Sequence, residues 1–140
     1  MEHIIIQEYR RGNNFGRNLE MDFEIIEPGK VKYWLTVQEQ HLATPVAAHG
    51  GVIAGFMDAL LGVGALSAVC DDMDIVSTVE FKVSYFAPCL KGDHLIGTTK
   101  LLKKGKSLVF LEGEVHNQKG NLVAKGNGTF NRYPAAKIGY

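Results

Sequence analysis

The chain has 140 residues, is 46% hydrophobic and balances 15 Lys and Arg against 15 Asp and Glu, so its formal net charge is zero. This composition predicts a single globular domain over residues 1–140. It also argues against a general nucleic-acid binder, because such binding needs a clustered excess of basic side chains. Two isolated cysteines and an N-terminus without a basic leader or a long apolar core indicate a cytoplasmic protein with no metal and no signal peptide.

The N-terminal quarter predicts a short element followed by a hairpin. Residues 1–10 are expected to form a short strand or helix, and the polar residues 10–16 a loop. Apolar and polar side chains alternate over residues 21–26 and 31–37, the period of two that is typical of half-buried strands. Between them, Pro28-Gly29 occupies the central positions that a type II turn prefers, so the two strands should pair antiparallel.

The longest apolar run, Gly51–Val69, predicts a helix that starts at His49-Gly50-Gly51 and ends near Ala68. Asp58 is the only ionisable residue in this run. Because desolvation of a carboxylate is costly, we expect Asp58 to have a hydrogen-bonding or ionic partner, a functional role, or both. The helical neighbours of Asp58 are mostly small. Small residues on this face would let a second backbone or a ligand approach Asp58 closely, and they are equally typical of tight packing between a helix and a sheet. These small neighbours are Gly51, Ala54, Gly55, Gly62 and Ala65.

The same run is long enough to span a bilayer and contains a Gly-x-x-x-Gly pair. Its central carboxylate, its four glycines, the lack of Lys or Arg on either side and the strand-like flanks all argue against a membrane span. We therefore predict a core helix and no membrane partner.

After the helix, four strand-like segments with short connections predict an antiparallel meander over residues 78–85, 94–102, 107–116 and 121–130. The acidic residues 71–74 are interpreted as a solvated turn. The basic residues 103–106 form either a solvated turn or one that meets phosphates, and residues 132–140 a loose tail. A twisted sheet of five to six strands wrapped around one long helix would bury that helix on nearly all sides, so we predict an α+β hotdog fold.

Two features of the helix suggest chemistry. The backbone N–H of Gly50 lies at the positive end of the helix dipole and can stabilise an oxyanion on an attacked acyl group, although Gly-Gly also suits plain turn chemistry. Asp58 can attack an acyl carbon or activate water. Eight residues at about 1.5 Å each put Gly50 and Asp58 about 12 Å apart, so they can serve one carbonyl only if they come from two subunits.

Other reactive side chains have simpler interpretations. His41 and His49 lack a recognised metal-ligand spacing, so hydrogen-bonded structural roles are favoured. Cys70 precedes two aspartates that raise its pKa, and Cys89 has no paired base in the sequence. Both thiols are expected to be inert.

Several motifs together closely resemble the PaaI-like acyl-CoA thioesterases of the hotdog superfamily, over roughly residues 20–131. They are His49-Gly50-Gly51 with Asp58, Thr78–Phe81, Tyr85–Pro88, Lys91–Asp93 and Ala124–Phe130. The resemblance implies hydrolysis of acyl-CoA thioesters to a free acid and CoA. It makes the Gly50 N–H the oxyanion donor, Asp58 of the neighbouring subunit the nucleophile or general base, Thr78 the holder of the attacking water, and His49 the residue that orients the loop.

The resemblance also implies that the pantetheine arm enters between subunits, where Gly51 and His41 are the substrate-binding candidates. Lys104 and Lys106 are candidates for the CoA phosphates. No cofactor is implied beyond the CoA of the substrate, and relatives are homodimers that commonly pair into homotetramers.

The chain departs from the family pattern at Ala43, where many relatives have an Asn that places the water or the thioester. His41 or Thr44 can substitute for it. Because of this departure, a second hypothesis is a non-catalytic protein that binds acyl-CoA or a lipid-like ligand in the same groove. A third hypothesis is a hotdog dehydratase that uses Asp58 and His49. The sequence does not specify the acyl group, and Phe56 and Met57 are expected to help shape the groove.

Overall fold

A computed structural model describes all 140 residues as six strands around one long helix, preceded by two short helices. The helices are α1 (Ile4–Gly12), α2 (Asn14–Asn18) and α3 (Gly50–Val69). The strands are β1 (Asp22–Glu27), β2 (Lys30–Thr36), β3 (Asp74–Tyr85), β4 (His94–Lys104), β5 (Leu108–His116) and β6 (Leu122–Pro134). Short 3₁₀ turns cover Glu39–His41, Cys70–Asp72 and Ala135–Ile138.

The strands form one antiparallel sheet in the order β1-β2-β4-β5-β6-β3, and helix α3 packs against all six of them. The predicted hotdog fold is confirmed. Helix α3 is long and apolar enough to cross a membrane by length and composition, and 67% of its most apolar window is buried in the fold. Packing inside the sheet therefore accounts for its apolar character.

The predicted hairpin is confirmed. Strands β1 and β2 pair antiparallel with Phe23 opposite Tyr33, and Gly29 between the strands has the positive φ of 83° that position three of a type II turn requires. The inward side chains of β2 are all buried, as the alternation indicated: Val31, Tyr33, Leu35 and, just beyond the strand, Val37.

The expected loop over residues 10–16 is wrong, because α1 continues to Gly12 and α2 begins at Asn14. Asn13 separates the two helices, and its side chain accepts a hydrogen bond from the Gly16 N–H at 3.1 Å, a capping interaction that starts α2. On the other face of α1, Ile5 and Ile6 are buried in the core. The polar residues that suggested a loop lie on the solvent side of a packed helix.

The predicted four-strand meander holds for β4, β5 and β6 but fails for β3. Strand β3 pairs with β6 at one edge of the sheet, and β4 pairs with β2. The connecting residues 86–93 bond instead to the loop before α3, with the Ala48 N–H donating to the Cys89 C=O and the Lys91 N–H to the Val46 C=O. These bonds take the place of a hairpin between β3 and β4.

Residues 132–140 are not a loose tail. Strand β6 extends to Pro134, and Ala135 behind it is only 1% exposed. Arg132 donates to Asp72 and Asp74 at 2.7 Å each, so two carboxylates of the expected solvated turn are ion-paired. Hydrogen bonds from Arg132 and then Lys104 lower the pKa of Asp72.

Candidate functional site

The start of helix α3 holds one free backbone donor in a fixed place. The His49 side chain caps the helix by accepting the Gly51 N–H at 2.7 Å, while the Gly50 N–H donates to no protein acceptor. Two further bonds fix this end, from the Tyr85 hydroxyl to the Gly50 C=O at 2.7 Å and from the His49 N–H to the His41 C=O at 2.7 Å. An unpaired N–H at a helix N-terminus is suited to bind developing negative charge.

Asp58 lies two turns further along the helix, half-buried, and its Oδ1 accepts a hydrogen bond from the Thr78 hydroxyl at 2.9 Å. A β-bulge between Thr78 and Glu80 interrupts the pairing of β3 with β6 at this point and leaves Val79 out of register. Bulges commonly re-aim side chains beside functional sites. The structure thus brings Asp58 and Thr78 into contact within one chain, and the family resemblance implies a separate catalytic role for each.

An apolar cavity of about 280 Å³ opens beside Asp58. Most of its lining is hydrophobic and comes from α1, α3, β3, β6 and the C-terminal segment. Tyr9 lines it as well, and burial raises the pKa of its hydroxyl, with smaller contributions from Tyr33 and Asp58. Tyr9 therefore stays neutral over the physiological pH range and can act only as a hydrogen-bonding or packing group.

Strand β3 touches both parts of the site, through Tyr85 at Gly50 and Thr78 at Asp58. It is an edge strand with one free side, and Val79 and Phe86 on or beside it are each 57% exposed. Because Gly50 and Asp58 belong to one continuous helix, they lie about 12 Å apart along its axis. Within a single copy of the chain, the two groups are therefore too far apart to contact the same carbonyl group.

Two predicted substrate-binding groups are engaged with the protein. His41 is fully buried, its Nδ1 accepts the Gln38 N–H at 2.9 Å, and its Nε2 is bonded to the Leu19 C=O at 2.9 Å. Neither ring nitrogen is available to a ligand, so the structure gives His41 a place in the scaffold. The N–H of Gly51 is likewise occupied by His49.

The predicted phosphate-binding lysines lie outside the cavity. Lys104 forms an ion pair with Asp72 at 3.1 Å, whereas Lys106 is exposed and has no ion-pair partner.

In the loop before α3, Ala43 supplies no polar side chain. Thr44 accepts the N–H groups of Val46 and Ala47, at 3.3 and 2.9 Å. Its hydroxyl proton remains free to donate.

The expectation that Phe56 and Met57 help shape the groove is wrong, because both are fully buried against the sheet. The cavity walls include residues that sequence reasoning missed: Tyr9, Phe15, Ile138 and Tyr140. Their only sequence signal is an aromatic or apolar residue within a polar stretch, which does not distinguish a cavity wall from an ordinary surface.

Both cysteines are buried and free. Burial raises the pKa of Cys89 to about 11, and burial followed by the charge of Asp71 raises that of Cys70.

One cluster of side chains has the spacing of a metal site, since ligand atoms of His3, Cys70 and Asp71 lie within 4.8 Å of one another. The Ile5 N–H donates to His3 Nδ1, which leaves the proton of a neutral ring on the nitrogen facing the group and opposes metal binding there.

Comparison with known proteins supports the same family. Human acyl-coenzyme A thioesterase 13 is 27% identical over 128 residues, covering 89% of each chain, and a putative esterase of Caenorhabditis elegans is 30% identical over 127 residues, covering 89% of this chain and 74% of that one. The Escherichia coli PaaI structure superposes with a TM-score of 0.84 at 20% identity, covering 91% and 90% of the two chains. A Streptococcus pneumoniae hypothetical thioesterase solved with coenzyme A superposes at 0.74 and 20% identity, covering 81% and 86%. The family model of the thioesterase superfamily matches residues 47–124. The chain therefore belongs to the thioesterase superfamily and shares the hotdog fold of the PaaI structure.

Proposed function

We propose that the protein hydrolyses acyl-CoA thioesters to a free acid and CoA. The observation that carries the proposal is the Asp58 carboxylate, held by the Thr78 hydroxyl at the edge of an apolar cavity. The free Gly50 N–H supplies the second group that acyl transfer needs. The name of the human relative, an acyl-coenzyme A thioesterase, supports the same chemistry.

In the proposed reaction the thioester carbonyl accepts a hydrogen bond from the Gly50 N–H of one subunit. Asp58 of the other subunit attacks the carbonyl carbon, or removes a proton from a water that attacks it, and Thr78 orients the carboxylate and the water. When water is the nucleophile, the carbon–sulfur bond breaks to give the free acid, and the proton that Asp58 took from the water passes to the departing CoA sulfur. When Asp58 is the nucleophile, the carbon–sulfur bond breaks to give a mixed anhydride and CoA thiolate; a water then hydrolyses the anhydride, which regenerates the carboxylate and releases the acid, and the thiolate takes up the proton that the water gives up. His49 contributes by fixing the helix start through its bond to Gly51.

A two-fold dimer completes this site. If two α3 helices lie antiparallel with the axis midway between residues 50 and 58, near Ala54, then Gly50 of each copy faces Asp58 of the other. The small side chain of Ala54, which is partly exposed at the proposed axis, allows two helices to approach closely there. The free side of edge strand β3 and its exposed apolar side chains provide the adjoining surface. We further propose that two such dimers pair into a homotetramer.

Substrate placement follows from the free groups on this surface. The pantetheine arm would enter between the subunits, and Lys106 is the better phosphate candidate because it has no ion-pair partner, whereas Lys104 is held in an ion pair with Asp72. No cofactor beyond the CoA of the substrate is proposed, and the expected compartment is the cytoplasm.

The proposal is tested by measuring thiol release from short, medium, long and aromatic acyl-CoAs. Asp58→Asn is the sharpest variant, because its amide oxygen can still accept the Thr78 hydroxyl bond while the base and nucleophile are lost. We expect kcat to fall by about 10²- to 10⁴-fold, with an unchanged melting temperature. Unchanged thiol release in this variant would refute the role of Asp58.

Ala43 favours one alternative, a protein that binds acyl-CoA without cleaving it. That function would show as thermal stabilisation by acyl-CoAs with no thiol released by the wild type. The dehydratase hypothesis is separated by an assay for hydration of an enoyl-CoA.

A further inference from the structure

The shape of the cavity beside Asp58 carries an inference about the acyl group. We propose that it binds a straight medium-chain acyl group of about eight to ten carbons, and that the C-terminal segment closes its far end. The proposal rests on the thioesterase function above and specifies the substrate class of the same site.

The cavity lies along one face of helix α3, where its lining runs from Gly55 past Asp58 to Leu66, and the stretch from Asp58 to Leu66 spans eight residues. Eight residues at about 1.5 Å make this path about 12 Å long. On the opposite wall, strand β3 runs from Thr78 to Ile75, three residues or about 10 Å. An extended alkyl chain advances about 1.25 Å per carbon, given carbon–carbon bonds of about 1.52 Å and tetrahedral angles. The length therefore accommodates about eight to ten carbons.

Polarity sets the direction of the chain. Asp58, Ser77 and Thr78 are neighbours in the cavity wall, while Leu66 and Ile75 line the end toward the C-terminus of α3; the remaining polar groups of the wall are tyrosine hydroxyls. A thioester carbonyl is therefore placed at the carboxylate, and the alkyl tail runs toward the C-terminal half of α3. Each buried methylene should raise kcat/KM by about fourfold until the far end is reached.

Ile138 and Tyr140, which follow strand β6, also line the cavity, and their segment is joined to the residues just before Ile75 at the far end. This segment is anchored by the Ala135 N–H, which donates to the Met73 C=O at 2.9 Å, and by the Tyr140 N–H, which donates to the Ala135 C=O at 3.3 Å. Ile138 is itself 52% exposed. Removing these two side chains should open the cavity without disturbing the core.

The test is the dependence of kcat/KM on acyl length from C4 to C16 for the purified chain. We expect the wild type to peak at C8–C10 and the double variant Ile138→Ala/Tyr140→Ala to peak at least two carbons higher. Lys137→Ala, an exposed change in the same segment that does not touch the cavity, should leave the profile unchanged.

A second variant narrows the cavity. A Cβ on Gly62 would lie 3.5 Å from the Phe130 ring, an ordinary contact, so Gly62→Ala should fold normally and occupy the space of about one carbon. We expect the ratio of kcat/KM on C10 to kcat/KM on C4 to fall at least threefold relative to the wild type.

A wild-type optimum at C4 or at C16, or a double variant with an unchanged optimum, would overturn the proposal while leaving the thioesterase function intact. If no acyl-CoA is hydrolysed, the function proposed above fails, and thermal stabilisation by free fatty acids from C4 to C16 then decides the cavity size. Greatest stabilisation at C8–C10 supports the inference, and greatest stabilisation at C16 refutes it.

Discussion

Replacing Gly50 with proline removes the proposed oxyanion donor while leaving the helix start in place. Gly50 is the first helical residue, the position at which proline is best tolerated, and its N–H has no protein partner to lose. The preceding residue, His49, has φ −61° and ψ 137°, which is the conformation that a following proline requires. The hydrogen bond from Tyr85 to the Gly50 C=O can persist.

Loss of one oxyanion donor corresponds to about 2.7–4 kcal/mol of transition-state stabilisation, or about 10²- to 10³-fold in kcat. The matched control is Gly50→Ala, which keeps the N–H. A Cβ on Gly50 would lie 3.7 Å from the Tyr85 hydroxyl, an ordinary contact. We expect the alanine variant to retain activity within a few-fold of the wild type. Steady-state thiol release and the melting temperature are measured for both variants.

Mixing two inactive variants tests whether the site is shared. In a dimer containing one Gly50→Pro chain and one Asp58→Asn chain, one site has both native groups and the other has neither. Random assortment makes half of the dimers mixed, each with one working site, so co-expression should restore about one quarter of wild-type activity.

Three results would refute this reasoning. If both variants keep wild-type activity, the Gly50 N–H is not the donor. If both variants lose the same activity relative to the wild type, the loss comes from the side-chain volume at residue 50. Absence of recovery in the co-expressed dimer would place both groups in separate, unshared sites.

Further predictions concern the support of the site, the core and the thiols. Thr78→Val should lower kcat by about 10- to 100-fold because the Asp58 carboxylate loses its 2.9 Å bond, and Thr78→Ser should restore activity. Gly64→Ala should be less stable than Gly62→Ala by about 1–3 kcal/mol in urea unfolding, because a Cβ on Gly64 would lie 2.7 Å from a buried leucine methyl while the one on Gly62 fits. A raised pKa, about 11 for Cys89, keeps its thiol protonated at pH 8, so native protein should react with iodoacetamide only on unfolding, and reaction at Cys89 within minutes would contradict this.

Local patterns determined most of the secondary structure. The period of two in residues 31–37, the Pro-Gly turn and the apolar run of α3 each predict their element, because side-chain burial and turn chemistry depend on near neighbours. The same approach gave a wrong prediction for residues 10–16, which were expected to form a loop and are mostly helical. A packed amphipathic helix and a polar loop can have the same composition over so short a segment. The pairing of β3 failed for another reason, because a strand's partner depends on where the connecting residues find their own hydrogen bonds.

For the functional site as well, some features follow from local sequence and others depend on long-range contacts. The sequence alone determined that Asp58 is the single carboxylate of an apolar helix and that Gly50 lies about 12 Å from it, because helix geometry converts spacing into distance. Only the tertiary structure decided that Thr78 contacts Asp58, that His41 is enclosed, and that the C-terminal segment lines a cavity beside Asp58. These contacts join residues far apart in the chain, and they depend on a β-bulge and on a crossover between strands that no local pattern specifies.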